Sequence, residues 1–379
     1  MFGLSDLKRV LSKLGTPEHP RAERRPAAGL AALYGPDPAL TPAGIKDISS
    51  TGIYLRTEKL LRTGELVTLI LQELGEPEST ADLQISLQAR VARQGEDGIG
   101  LSFVLPPGMN TDLWALLMQN IVTLTEQSQV AELFRTLRTV FFLCRLCQAE
   151  AEPAILLLSG ELPADRTATL VRIALGAENL LAAEPDADRM RVHPGLLVNI
   201  LSEGSWVPDE VTEQLWAGLL ASSCSAEAPD DSHQILVDLL GHLTPVQSSI
   251  FVHACERTLT SAAEPGSSGP GSIVLSPQEM IDLTGVFDHY RNATDLAYLF
   301  NLGLVQNVFD FTSYHAVDSF DITPTALGIE LYRRCHGLRG KLEPHLVESA
   351  NTHLANFLPA PQPAGGDTQT PPSLLSTPD

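Results

Sequence analysis

The sequence predicts an α+β multidomain chain in which an amino-terminal antiparallel β-barrel or sandwich precedes a mainly α-helical region. Three observations predict it. Between residues 18 and 108, short apolar alternations are separated by polar breaks, the pattern of strands in a sheet with one buried face. From Asn110 onward, apolar residues recur three and four positions apart, which gathers them on one side of a helix. At 379 residues, with 44% hydrophobic and 19% charged positions, the chain has room for two or three cores and some flexible segments.

The elements follow in order. Residues 1–17 contain MFGLSDLKRVLSKLG, where Phe2, Leu4, Leu7, Leu11 and Leu14 line one side of a short amphipathic helix. This start lacks the apolar run of a signal peptide. The barrel region, residues 18–108, opens with HPRAERR and the short strand candidate GLAALYG, continues through the turn-prone PDPALTPAG, and holds the strand candidates GIYLRT, ELVTLILQ, LQISLQARVARQ and GIGLSFVL. Gly64 and Asp97-Gly98 supply tight turns. So many short strands favour closure, which protects the edges from pairing with other chains.

Residues 110–260 read as a helical domain. WALLMQNIVTLTEQSQVAELFRTLRTVFFLCRLCQ and LPADRTATLVRIALG carry helical periodicity, although a weak strand-pair pattern competes between residues 164 and 200. VPDEVTEQLWAGLLASS opens with Pro208, Asp209 and Glu210, which suit a helix start. HQILVDLLGHLTPVQSSIFVHACERTL forms two more helices, with Thr244 as cap and Pro245 in the first turn of the second. Residues 261–275, beginning SAAEPGSSGPGS, have the composition of a flexible linker. Residues 276–345 form a small helical domain, and residues 356–379, rich in Pro, Gly, Ser and Thr, a disordered tail.

Charge and motif content then restrict the function. There are 46 acidic and 25 basic residues, a net charge of −21. Double-stranded nucleic acid is disfavoured as a partner, because phosphate contacts need a concentrated basic face. A small anionic ligand needs only a few arginines. The five cysteines, Cys144, Cys147, Cys224, Cys255 and Cys335, are expected to be reduced core thiols; Cys144 and Cys147 have the spacing of half a metal site without a second half. No stretch has the length and apolarity of a transmembrane segment, so a cytoplasmic location is expected. The ten histidines complete no HExxH or HxE pattern, and no phosphate-binding glycine loop is present. No enzyme, catalytic residue, metal or cofactor is expected.

Two short segments stand out: Arg21-Ala-Glu-Arg-Arg25 ahead of the first strand, and Asp47-Ile-Ser49-Ser-Thr-Gly52 leading into GIYLRT. Their order and spacing, with the later GIGLSFVL, resemble the PilZ domain family, whose members carry RxxxR before the barrel and [D/N]xSxxG within it. The resemblance covers about a quarter of the chain. It implies a six-stranded antiparallel barrel, cyclic di-GMP as ligand, and Arg21, Arg24, Arg25, Asp47, Ser49 and Gly52 as its binding residues. The chemistry agrees. Guanidinium forks engage phosphates or the O6/N7 edge of guanine, and the Asp47 carboxylate can accept from the guanine N1–H and N2–H donors. Two roles fit the second segment, since Asp47 and Ser49 can also satisfy turn amides and Gly52 can serve the backbone alone. Arg90 and Arg93 face either the ligand side of the barrel or open solvent.

In the helical part, Trp216 and the run Leu243-Thr244-Pro245 loosely resemble Abi-alpha proteins, associated with phage abortive infection, while DITPTALGIELYRRC is similar to the end of small winged-helix domains. DNA reading by that end is opposed by its charge. From residue 281 to 345 five basic residues (Arg291, Arg333, Arg334, Arg339, Lys341) face eight acids. The expectation is a cyclic di-GMP receptor that transmits occupancy to a protein partner or to another copy of itself. The alternatives are an interaction scaffold whose barrel binds no nucleotide, and a DNA-binding regulator.

Overall fold

The structure, a computed structural model, describes residues 30–36, 39–49, 51–59, 61–73, 84–105, 109, 111, 114, 130–147, 162–227, 231–262, 272–306 and 319–357. The expected amino-terminal helix, the arginines at 21, 24 and 25, and residues 358–379 of the expected tail lie outside the described residues.

Six antiparallel strands close into a barrel: β1 Leu30–Gly35, β2 Thr41–Ser49, β3 Gly52–Arg56, β4 Leu66–Glu73, β5 Gln84–Gln94 and β6 Gly98–Phe103, in the spatial order β1-β2-β3-β6-β5-β4. The two-residue period predicted from the sequence is what closes it. Leu30, Ala32 and Tyr34 of β1, Val67, Leu69 and Leu71 of β4, and Ile85, Leu87, Ala89 and Val91 of β5 are buried. Between those of β5 lie the exposed Ser86, Gln88 and Arg90. Each fully buried aliphatic side chain stabilises the fold by roughly 1.5–3 kcal/mol, so one slipped register would be costly on every strand at once.

One stretch read as a turn is strand. Thr41–Gly44 pair with β1, while Gly44–Ser49 pair with β3, so each half of β2 has its ladder on a different side. A strand laddered on one side tolerates a proline such as Pro42, because the donor it lacks can face the open side. Register irregularities fall at Lys46, between Ile45 and Asp47 of β2, and at Ala92, between Val91 and Arg93 of β5. The expected turns are present. Gly64 has φ +89°, a left-handed conformation that suits glycine, and the Gly95 N–H donates to the Gly98 carbonyl at 2.8 Å.

The rest of the described chain is helical: α1 Val130–Cys147, α2 Ala164–Ala182, α3 Pro194–Gly204, α4 Glu210–Ser222, α5 Gln234–Gly241, α6 Pro245–Ala262, α7 Pro277–Thr284, α8 His289–Asn301, α9 Ala326–Cys335 and α10 Pro344–Phe357. A two-stranded antiparallel sheet joins β7 Val274–Leu275 to β8 Phe320–Asp321. The weak strand pattern between residues 164 and 200 is overturned by α2 and α3. Leu170, Val171, Ile173, Ala174, Ala177 and Leu181 of α2 are buried at helical spacing, and the extended residue Arg191 makes only a single bridge, to Ser225.

The helix starts read from the sequence are built as read. The Asp209 carboxylate accepts from the Thr212 N–H at 2.9 Å at the head of α4. Thr244 Oγ1 accepts from the Gln247 N–H at 3.4 Å, and the Gln247 side chain accepts from the Thr244 N–H at 3.0 Å. Ser276 and Glu279 form a capping box on α7. All five cysteines are free and buried. Burial pushes the Cys144 and Cys224 thiols up to about 12 and raises that of Cys255 as well, so these are poor thiolates at neutral pH.

The described residues divide into two compact units. The first holds the barrel, α1–α4 and Arg334–Arg339; the second holds Gln234–Arg333 and the chain from Gly340 onward. The interval 110–260 is thus shared between the two. Of the linker interval, Ser261 and Ala262 close α6, Val274 and Leu275 form β7, and residues 263–271 lie outside the description. Within the first unit, Trp114 is buried between Phe103 of β6, at 5.6 Å between ring centroids, and Phe141 of α1, at 6.0 Å. The second packs Phe251 of α6 against Tyr332 of α9 at 6.3 Å. Among the described residues no single helix is long and apolar enough to cross a membrane; α5 and α6 together reach that length but are bent by 118°, and Leu236, Leu239, Ile250 and Phe251 are buried in the core of their unit.

Candidate ligand-binding wall of the barrel

The β2–β3 hairpin carries the segment from Asp47 to Gly52. Asp47, half-buried, stands opposite Tyr54 of β3. Ile53 and Leu55, the neighbours of Tyr54, are buried in the barrel interior, so the Asp47–Tyr54 pair lies on its outer wall.

The other two predicted residues of the hairpin are used by the barrel itself. Ser49 is only 2% exposed; its hydroxyl donates to the Gly52 carbonyl at 3.2 Å and accepts from the Thr51 N–H at 3.4 Å. Gly52 is required by close approach: a Cβ there would lie 2.1 Å from the Leu101 carbonyl oxygen of β6. Arg21, Arg24 and Arg25 lie outside the described residues, so of the six predicted positions the described structure brings together Asp47, Ser49 and Gly52.

The outer row continues past Tyr54. Tyr54 is opposite Gly100 of β6, and Gly100 is opposite Arg93 of β5. The missing side chain at Gly100 leaves a channel that the Arg93 stem fills, since a Cβ there would lie 2.9 Å from Arg93 Cγ. The Arg93 guanidinium carbon therefore reaches to 5.6 Å from the Tyr54 ring centroid, and Lys46 Nζ approaches the same ring to 5.0 Å. Both cations are on exposed residues, and between them they cover a ring that is 6% exposed. Arg90, the other arginine of β5, is also exposed and donates to the Gly64 carbonyl at 2.9 Å.

Asp97, in the β5–β6 turn, ties the cluster together. Its carboxylate accepts from Lys46 Nζ at 2.8 Å and from the Tyr54 hydroxyl at 2.8 Å. The Lys46 ammonium, and after it the Tyr54 hydroxyl, hold the Asp97 carboxyl below its ordinary value; the same bond to Asp97 is the main cause of a raised Tyr54 phenol. The arrangement presents a carboxylate acceptor, Asp47, beside an aromatic ring and two cations, on a rigid sheet. Such a wall can hold a planar base edge and an anionic group side by side. Lys46, Tyr54 and Asp97 were not predicted as site residues. The only signal for them was the outward place of Tyr54 in GIYLRT, since their meeting depends on the pairing of four strands.

Among the described residues no group of three or more His, Cys, Asp or Glu side chains is placed to hold a metal ion. Comparison with known proteins matches the barrel to one family and helices of both units to another. The PilZ domain family matches residues 18–119, and the family described as abortive infection alpha matches residues 168–335, from α2 to the end of α9. A solved structure described as "Structure of Bacillus subtilis Inhibitor of motility (MotI/DgrA)" aligns at 18% identity over 29% of this chain and 53% of its own, with a TM-score of 0.22. The chain thus spans about half the length of that structure. No curated protein matches. The chain joins a six-stranded barrel that matches the PilZ domain family to a helical region that matches abortive infection alpha.

Proposed function

We propose that the barrel is a receptor for cyclic di-GMP and that the helical region passes its occupancy to a protein partner or to a second copy of this chain, in the cytoplasm and without chemistry on the ligand. The observation that carries this reading is the position of Asp47 on the outer wall, in the half of β2 that β1 no longer pairs. The chain enters β1 at Leu30, next to that half, because Ala31 is opposite Gly44. Arg25 precedes Leu30 by five residues and is therefore tethered within ~18 Å of it.

On this reading Arg21, Arg24 and Arg25 offer guanidinium forks to the phosphates or the guanine O6/N7 edge, while Asp47 accepts from guanine N1–H and N2–H. Ser49 and Gly52 contribute through the hairpin whose shape they set. Ligand contact with the arginine segment would be felt at the barrel–helix junction, where Trp114 is wedged between β6 and α1. Coupling requires that the two states of that junction bind ligand differently.

The test is calorimetric titration of the full chain with cyclic di-GMP, beside Arg25→Ala and Asp47→Ala and with GTP as control. Saturable binding, weakened at least about tenfold in both folded variants, is expected, since a hydrogen bond to a charged group contributes roughly 1.5–3 kcal/mol. A folded wild type that shows no heat at high micromolar ligand sinks the receptor reading.

A second reading, a scaffold that binds no nucleotide, is favoured by one observation: Ser49 and Gly52 are already accounted for by the barrel's own contacts, so the fold would keep them without a ligand. The DNA-regulator reading is the weakest of the three, because acids outnumber bases in the segment that would have to read DNA.

A further inference from the structure

The family motif ends at Gly52, yet one of the two cations over the Tyr54 ring, Arg93, lies about forty residues beyond it. We infer that Arg93 is a ligand-binding residue, contributing the second cationic arm of a site for a cyclic purine dinucleotide, with Tyr54 and Asp97 as its positioning residues. The inference rests on the receptor reading above and extends the site across two further strands.

Geometry supports the assignment first. Asp47, Tyr54, Gly100 and Arg93 form one row on four adjacent strands, spaced ~4.8 Å apart. Arg93 starts three strands from Asp47, but its stem crosses Gly100 and delivers the guanidinium over Tyr54, the immediate neighbour of Asp47. Register irregularities flank the row on both sides, at Lys46 and at Ala92, and such irregularities re-aim side chains.

Electrostatics supports it next. In a chain of net charge −21, two cations meet over one ring. Lys46 is matched by Asp97 at 2.8 Å, whereas Arg93 makes no ion pair among the described residues and is held by the ring alone. An exposed guanidinium held 5.6 Å from an aromatic ring centroid, with no carboxylate upon it among the described residues, leaves its donor fork for a phosphate or for a guanine O6/N7 edge. Tyr54 cannot drift, because its hydroxyl is tied to Asp97 and a Cβ on Gly95 would lie 2.0 Å from that hydroxyl.

The experiment is calorimetric titration of the full chain with cyclic di-GMP at two salt concentrations, for the wild type, Arg93→Ala, Arg93→Lys and Asp47→Ala, each with a thermal melt. The inference expects Arg93→Ala to weaken binding about ten- to hundredfold with an unchanged melt. Its affinity should also depend less on salt, because one screened charge contact is gone. Arg93→Lys should retain the salt dependence and lose part of the affinity, since the charge remains and the fork does not. Should Arg93→Ala melt early, Arg93→Lys alone decides, by loss of affinity at an unchanged melt. If the wild type binds, Asp47→Ala weakens it and both Arg93 variants stay within twofold of wild type, the inference is overturned and the receptor reading stands. A wild type that does not bind overturns both.

Discussion

Tyr54 on the barrel and Trp216 in the helical region are both nearly inaccessible aromatic side chains with a polar tip, yet they are buried by different means. Tyr54 is covered by the charged ends of Lys46 and Arg93, and its hydroxyl donates to Asp97. Trp216, 1% exposed, is enclosed by helices, packs beside Gly204, and its Nε1–H has no hydrogen-bond partner among the described residues. A ring roofed by two charged side chains can be uncovered at little cost, because those charges are already solvated. A ring enclosed by apolar groups cannot. The ring on the barrel wall is thus covered by solvated charge, and the ring among the helices by apolar packing.

The largest effect that would test this contrast is on stability. Trp216→Ala should cost about 3–5 kcal/mol in urea unfolding, the usual range for deleting a buried tryptophan. A cost below about 1 kcal/mol would show that this core is loosely packed. Gly52→Val comes next. Its Cβ would meet the Leu101 carbonyl oxygen, a backbone atom that cannot swing aside, so a loss of about 1–3 kcal/mol from the barrel is expected in the same measurement. Asp209→Ala removes the cap of α4 and should cost about 1 kcal/mol, read as a lowered melting temperature; Asp209→Ser should restore most of it.

The smallest effect sharpens the barrel side. Because Lys46 and Tyr54 lower the Asp97 carboxyl in the folded state, the stability it contributes is present above the ordinary carboxylate value of 3.8 and is lost as pH falls through the lower folded value. Asp97→Asn should therefore flatten the acid limb of a stability-against-pH curve and leave its neutral part parallel to wild type. An acid limb identical in the two proteins would show that the cluster is not held by charge.

Much of this was legible before folding. The caps at Asp209 and Thr244, the turn at Gly64 and the strand alternation of β5 are local signals, set by one residue and its near neighbours. Pro42 and the interval from 164 to 200 misled, for a physical reason. Local turn propensity lost to pairing with β1 in the first case, and in the second an ambiguous short-range pattern lost to the buried face of α2. In the site, Asp47, Ser49 and Gly52 could be named from their spacing. Their division of labour could not, because the demand on Gly52 comes from a carbonyl on β6, a strand about fifty residues away in the chain.

By itself the sequence determined where strands give way to helices, which residues begin helices, and which motif lies on the β2–β3 hairpin, because each depends on periodicities and hydrogen bonds spanning a few residues. Only the tertiary structure decided that Arg93 crosses Gly100 to reach Tyr54, that Asp97 ties Tyr54 to Lys46, and that β2 divides its ladder between β1 and β3. Those contacts join residues that are close only once the barrel has closed.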